Sequence, residues 1–284
     1  MKSPLATTSS LIPVLSLIFL ASARMLPIIT LAPFFGSRIL PHPVKITFAL
    51  CLVTIVMPQI LLKSTEPVYF DARLILLMMK EIFVGSIMGF FLGLPFLIVT
   101  ASGVFIDHQR GAASLMVNDP TIQNQSSPIG TLYNFVLIVI FFTLDGPFFV
   151  IDSILDSYTL IPPDQFLDPQ FFAPSSFVKD KLINSLQVFT LLALQLSAPA
   201  ILAILMTDTF LGVINRLAPQ VQITFLGMGL KSWLAIFMVL IGWNYFAQQM
   251  GKETIIWLRE FMELIQGFVL KAAPGTAAPT AMTG

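Results

Sequence analysis

The chain has 284 residues, of which 56% are hydrophobic and only 11% are charged. Soluble domains usually carry about a quarter charged residues, so this composition excludes a soluble globular protein and indicates a membrane protein. Fifteen basic residues balance fifteen acidic ones, which gives no basic surface for nucleic acid, and one cysteine with two histidines argues against an internal disulfide or a Cys/His metal centre.

The first apolar block carries one charge, Arg24, which separates the apolar windows Ser3–Ala23 and Met25–Ser37. The block begins like a cleaved secretory signal, with small residues at Ala21-Ser22-Ala23. Because the chain stays apolar beyond those residues, an uncleaved segment is favoured.

Later apolar windows are short or broken. Leu132–Leu144 would span only about 20 Å of helix, whereas the hydrocarbon core of a membrane is about 30 Å thick. A predicted break at Asp145-Gly146-Pro147 follows it. An ordinary multispan protein with tolerated polar residues is one interpretation. Because the defects recur in nearly every segment, we favour a chain packed inside a larger helical assembly.

Four residues recur at every fourth position between Arg73 and Asp107: Glu81, Gly85, Gly89 and Gly93. This spacing places them on one helix face, where the glycines permit close approach of another backbone. That backbone belongs either to another chain or to a helix of the same chain, and the sequence leaves both open.

A polar interval follows this helix. Asp107, His108 and Arg110 suggest an acid/base site, but no nucleophile motif accompanies them, so a helix-ending polar cluster is the preferred interpretation. Turn-forming residues predict a loop over Asn118–Ser127, which would orient two helical hairpins.

An acidic, proline-rich connection is predicted to be solvated, because its carboxylates lack the spacing of a calcium loop. They are Asp152, Asp156, Asp164 and Asp168.

The stretch from Leu182 to Lys231 is largely apolar and carries charge only at Asp208, at Arg216 in the turn sequence Arg216–Gln220, and at Lys231. An acid and a base inside such sequence cost free energy unless they face a partner or water, so Asp208 and Lys231 are predicted to mark an interior surface.

The C-terminal part is predicted to contain an amphipathic helix over residues 252–271 and a disordered tail over 272–284, after a single helical domain over 1–251. Its apolar stripe is typical of a membrane surface or a partner contact, and comprises Ile255, Leu258, Met262, Ile265 and Val269.

Several of these pieces, in this order, resemble the T subunit of the bacterial type III secretion export apparatus, the FliR / SctT / SpaR family. The resemblance covers roughly Leu20 to Lys231, and its Asp107-His108-Gln109-Arg110-Gly111, Ser-Pro-x-Gly and Lys-Ser pieces resemble the injectisome branch more than the flagellar one. Gln222, where family members often have asparagine, is a departure from the pattern.

The resemblance implies an all-α, membrane-associated fold of helical hairpins with broken, charge-bearing helices. It also implies a non-enzymatic, pore-forming subunit without a cofactor, which assembles with R, S and U subunits near a V-type export gate. Unfolded secreted proteins would pass through that complex across the bacterial inner membrane. Its hairpins would be raised partly out of the lipid toward the periplasm.

We hypothesise that buried or lumen-facing charges form ionic contacts between hairpins or subunits. The alternative is that these polar groups only cap helix ends or fill space within their own segment. A secondary transporter is the alternative function, although no internal repeat supports it. The predicted structural, assembly or pore-lining residues are Arg24, Glu81, Gly85, Gly89, Gly93, Asp107, Gln109, Arg110, Asp145, Asp208, Arg216, Pro219, Gln220 and Lys231.

Overall fold

The computed structural model describes residues 4–35, 41–64, 67–111, 127–166, 177–218 and 223–270. Within these ranges the chain forms eight α-helices, one short 3-10 helix and no strand, which confirms the predicted all-α class. The helices are α1 (Pro4–Leu31), α2 (His42–Lys63), α3 (Ala72–Gln109), α4 (Pro128–Thr143), α5 (Gly146–Leu160), α6 (Phe177–Leu217), α7 (Ile223–Ile241) and α8 (Trp243–Leu270).

Four helices in the described residues are long and apolar enough to cross a membrane. They are α1, α2, α3 and α6, and the number rises to six if the broken pairs α4–α5 and α7–α8 each count as one span. The predicted membrane class therefore agrees with both composition and helix length.

Arg24 lies inside α1 and does not interrupt this helix. The helix continues from Pro4 to Leu31 through Arg24 and two internal prolines. A charged side chain leaves the backbone hydrogen bonds of a helix intact, and burial of this one is compensated by partners on other helices.

The break after α4 lies where the sequence predicted it. α4 ends at Thr143 and α5 begins at Gly146. Between them Asp145 adopts a positive φ of 56°, a left-handed conformation that Asp tolerates better than most residues. A Cβ atom on Gly146 would lie only 2.5 Å from a ring carbon of Phe141, so a larger residue here would displace that ring.

The chain divides into two compact units, each made of separate stretches. The first contains Met1–Gly93, Pro147–Asn184 and Leu258–Gly284, and the second contains Leu94–Gly146 and Ser185–Trp257. The core of the first unit includes the fully buried Leu20, Ile28 and Leu77. In the second, the rings of Tyr133 and Phe246 stack with centroids 3.7 Å apart.

The predicted amphipathic helix forms the later part of α8, which begins at Trp243. Leu258 and Ile265 of the predicted stripe are buried, whereas Ile255 is half exposed. Part of that stripe therefore packs against the chain itself. The domain boundaries predicted at 251 and 271 stay a prediction, and residues 271–284 lie outside the described part of the chain.

Candidate functional site

A fully buried ion pair joins α1 to α3 in the first unit. The guanidinium of Arg24 donates to both carboxylate oxygens of Glu81, from Nε to Oε2 at 2.5 Å and from Nη2 to Oε1 at 2.9 Å. Neither side chain has any exposed surface. This two-bond geometry is the strongest that an Arg–carboxylate pair adopts, and it compensates charges that would be costly alone.

The remaining donors of Arg24 bind the C-terminal end of α5. Nη1 donates to the carbonyl oxygen of Ser157 at 3.0 Å, and Nη2 donates to that of Ile161 at 2.8 Å. The last carbonyls of a helix lack partners within it and carry partial negative charge, so a cation placed there is favourable. One side chain of α1 therefore holds parts of α3 and α5 together.

Tyr158 completes the enclosure of the Arg24 side chain. Its ring centroid lies 4.3 Å from the guanidinium carbon, and its hydroxyl donates to the carbonyl oxygen of Ala21 at 3.0 Å. A cation over an aromatic face is stabilised further when both are removed from water. The aromatic contact fixes α5 against α1 beside the ion pair.

A second cation approaches Glu81. The ammonium of Lys80 lies 2.6 Å from Glu81 Oε1 and its side chain is almost fully buried. Glu81 thus carries two basic partners, Lys80 and Arg24, in a region without bulk water.

Asp164 is buried, so its predicted solvation is wrong. Its carboxylate accepts a hydrogen bond from Ser64 Oγ at 3.4 Å, and Arg73 Nη2 donates to its backbone oxygen at 3.2 Å. The nearby basic side chains of α3 offset its negative charge, which explains how it can leave water. Asp152 and Asp156 are exposed, as predicted, and Asp168 lies outside the described residues.

The glycine face of α3 packs against α1 of the same chain, one of the two arrangements that the sequence left open. A Cβ atom on Gly89 would lie 2.9 Å from the carbonyl oxygen of Pro27, and one on Gly93 would lie 3.2 Å from that of Leu31. A Cβ atom on Gly85 would overlap the Arg24 carbonyl. The glycines therefore let α1 approach closely enough for Arg24 to reach Glu81.

A polar cluster ends α3 and begins α4 in the second unit. The Asp107 carboxylate accepts hydrogen bonds from the Ser127 hydroxyl and, at 3.1 Å, from the backbone nitrogen of Ile129. It also lies 2.7 Å from Arg110 Nε, while Ser127 Oγ caps α4 by accepting from the Gly130 nitrogen at 2.9 Å. This arrangement is the helix-ending cluster that the sequence predicted.

A further ion pair lies between α6 and α7, where Lys231 Nζ contacts Asp208 Oδ1. Unlike the Arg24–Glu81 pair, it is partly exposed, with 23% of the lysine and 36% of the aspartate side chain accessible. Exposed apolar side chains, such as Met206 and Phe210, lie close to it in sequence. An open ion pair on an apolar helix surface is unfavourable against acyl chains.

Within the described part of the chain, Asp145 and Arg216 form no ion pair. Asp145 and Arg216 are exposed and Gln109 is half buried, while Pro219 and Gln220 lie outside the described residues. The roles proposed for them stay predictions.

Sequence reasoning missed Lys80 and Tyr158 as partners of the buried pair. An adjacent Lys80-Glu81 inside an apolar helix was a visible indication of an internal ionic cluster. Nothing comparable in the sequence indicates that the Tyr158 ring lies over Arg24. Within the described residues, no group of three His, Cys, Asp or Glu side chains could hold a metal ion.

Comparison with known proteins shows similarity over most of the chain. A family model described as bacterial export proteins, family 1, matches residues 15–255. The surface presentation of antigens protein SpaR of Shigella flexneri is 33% identical over 77% of this chain and 81% of its own length. Yop proteins translocation protein T of Yersinia pestis is 30% identical over 84% of this chain and 87% of its own.

A flagellar relative is also similar. The flagellar biosynthetic protein FliR of Bacillus subtilis is 27% identical over 81% of this chain and 86% of its own length. The chain is thus more similar to the two secretion proteins than to this flagellar protein. The sequence motifs predicted this greater resemblance to the injectisome branch.

Proposed function

Because this chain belongs to family 1 of the bacterial export proteins, the family of the T-type export apparatus subunits, we propose that it is a structural subunit of a type III secretion pore. In this role it assembles with R-, S- and U-type subunits beside a V-type gate and conducts unfolded proteins across the inner membrane. The hairpins then stand partly above the lipid, toward the periplasm.

The observation that carries this proposal is the placement of charge in apolar helices. Arg24 and Glu81 are paired inside the chain with no exposed surface. Asp208 and Lys231 are paired but remain partly open on α6 and α7. The first pair stabilises the subunit itself, whereas the second requires a protein neighbour or an aqueous conduit to be tolerated at membrane depth.

The exposed apolar surface of α6 and α7 supports the same role. Met206 on α6 and Leu240 on α7 are 76% and 66% exposed. Helices that carry both an ion pair and exposed apolar side chains are typical of protein interfaces, where the pair fixes register and the apolar residues provide contact area. A structural subunit with neighbours on α6 and α7 explains both features.

Two substitutions test this role, Asp208→Asn and Lys231→Met. Each leaves the other member of the pair without its charge partner, and we expect both variants to lose co-purification with R- and S-type subunits and to lose secretion. Lys252→Gln is the matched control, because Lys252 is an exposed charge of α8 in the same unit and is not among the predicted assembly residues.

Two outcomes would oppose the proposal. Wild-type assembly and secretion in both pair variants would show that the open pair has no role in assembly. Uptake of a small solute by the chain alone in liposomes would instead favour a secondary transporter.

A further inference from the structure

The oxygens around the Lys80 ammonium have the composition of a cation-binding site. Nζ lies 2.8 Å from the carbonyl oxygen of Gln165, 2.9 Å from that of Pro162 and 3.4 Å from that of Pro163. The fourth oxygen is Glu81 Oε1, at 2.6 Å. Backbone carbonyls arranged in this way replace the hydration shell of a small cation.

The turn formed by residues 161–166 needs such a cation because it has more acceptors than donors. Pro162 and Pro163 carry no backbone N–H, so the turn cannot satisfy its own carbonyl oxygens. Within it, the Gln165 nitrogen donates to the Pro162 oxygen at a long distance of 3.4 Å. Among the described residues, three basic side chains outside the turn donate to its backbone oxygens.

Each of these basic side chains binds a different part of the turn. Arg24 donates to the Ile161 oxygen, and Arg73 donates to the Asp164 oxygen. Lys80 alone supplies the ammonium that lies among the oxygens of Pro162, Pro163 and Gln165. Removal of this one group therefore takes the ammonium donor away from three carbonyl oxygens, of which that of Pro163 is buried and that of Pro162 also accepts from the Gln165 nitrogen.

We propose that these carbonyls and Glu81 form a binding site for a primary ammonium group, which the chain fills with its own Lys80, and that occupancy of the site holds the 161–166 turn in place. All the atoms of the site lie within the first unit, and its test uses the chain alone, without export partners. An ammonium has three donors for these oxygens, and its methylene stem reaches the site from α3.

The test replaces the tethered ammonium by a free one. Lys80→Ala removes the three outer methylenes and the nitrogen, which together match n-propylammonium. In the full-length chain in detergent, we expect amide hydrogen exchange at Ile161, Asp164 and Gln165 to accelerate about tenfold or more, the size expected for a buried polar group left unpaired. Added n-propylammonium should restore slow exchange in a saturable manner.

Three comparisons isolate the ammonium. Tetramethylammonium and n-propanol should not slow exchange, because the first has no N–H and the second has no charge. The methionine of Lys80→Met occupies the space of the lysine methylenes but carries no charge. Amide exchange in this variant should therefore be fast and should not respond to propylammonium. Lys63→Ala, which removes an exposed lysine at the end of α2, should match wild type in every condition.

Wild-type exchange in Lys80→Met would overturn the proposal. So would a response of Lys80→Ala to propylammonium no larger than its response to propanol. If Lys80→Ala is recovered unfolded, its folded yield after purification with propylammonium or with tetramethylammonium becomes the readout. A higher yield with propylammonium supports the site, and equal yields contradict it.

Discussion

The buried pair between Arg24 and Glu81 can be tested by a double-mutant cycle. Glu81→Met removes the carboxylate that contacts both Arg24 and Lys80, and Arg24→Met removes the donor to Ser157 and Ile161. Breaking one partner of a buried pair costs about 3 to 5 kcal/mol. Each single variant should therefore lose at least about a hundredfold in its folding equilibrium constant, since about 1.4 kcal/mol corresponds to a factor of ten.

The double variant should be less destabilised than the sum of the two single variants. In each single variant one charge of the pair stays buried next to a methionine, whereas the double variant removes both charges. Lys80 then keeps its carbonyl partners but loses Glu81. Coupling of about 2 kcal/mol is expected, within the range measured for contacting residues. The assay is reversible denaturant unfolding of the full-length chain in detergent.

An exposed pair in the same unit provides the control. Lys181 lies 3.4 Å from Glu260 and 3.5 Å from Glu263, and about half of the Glu263 side chain is exposed. Glu263→Gln should cost less than about 1 kcal/mol, because solvent screens such pairs. If the two methionine substitutions prove additive within about 0.5 kcal/mol, the buried pair does not stabilise the unit as argued.

Three further predictions concern close packing, helix capping and the polar cluster. Gly89→Ala should destabilise the chain by about 1 to 3 kcal/mol in the same assay, because its Cβ would lie 2.9 Å from the Pro27 oxygen. Gly212→Ala, with no atom within 4 Å of its Cβ, should be neutral or stabilising, and equal effects of the two would refute the packing argument. Ser127→Ala should cost about 1 kcal/mol through loss of the α4 cap, measured by thermal unfolding, and no change would show that the cap contributes nothing. Asp107→Asn should speed amide exchange at Ile129, whose nitrogen donates to this carboxylate, and unchanged exchange would contradict that bond's importance.

Local features of the fold could be predicted because their causes lie close together in sequence. The break at Asp145-Gly146-Pro147 follows from turn residues inside an apolar run, and the end of α3 at Gln109 follows from a polar cluster. Glycines at every fourth position predicted a close helix contact. The identity of the contacting helix, α1, required the three-dimensional structure.

Long-range pairing could not be predicted from these patterns. Arg24 and Glu81 are separated by 57 positions, and several other charges in apolar sequence were equally available partners. For the same reason the partners that make burial of Arg24 possible could not be identified from the sequence, because they lie on α3 and α5.

The burial of Asp164 likewise could not be predicted from the sequence. Proline-rich acidic sequence usually indicates a solvated connection, and Asp152 and Asp156 follow that rule. Asp164 does not, because Arg73 and Lys80 of α3 supply positive charge and hydrogen bonds to its turn. Whether Asp164 is buried therefore depends on contacts with side chains that are distant in sequence.

The surroundings of the open pair on α6 and α7 can be measured with a spin label at Gly212, which lies one helical turn from Asp208 and has no atom near its Cβ position. The label is attached to Gly212→Cys in a chain that also carries Cys51→Ser, since Cys51 is exposed. Relaxation by oxygen and by a water-soluble nickel chelate is then recorded for the chain assembled with R- and S-type subunits in lipid nanodiscs. If the ionic residues face protein or an aqueous conduit, the label will show low oxygen accessibility; high oxygen with low nickel accessibility would place this face against acyl chains and contradict the account.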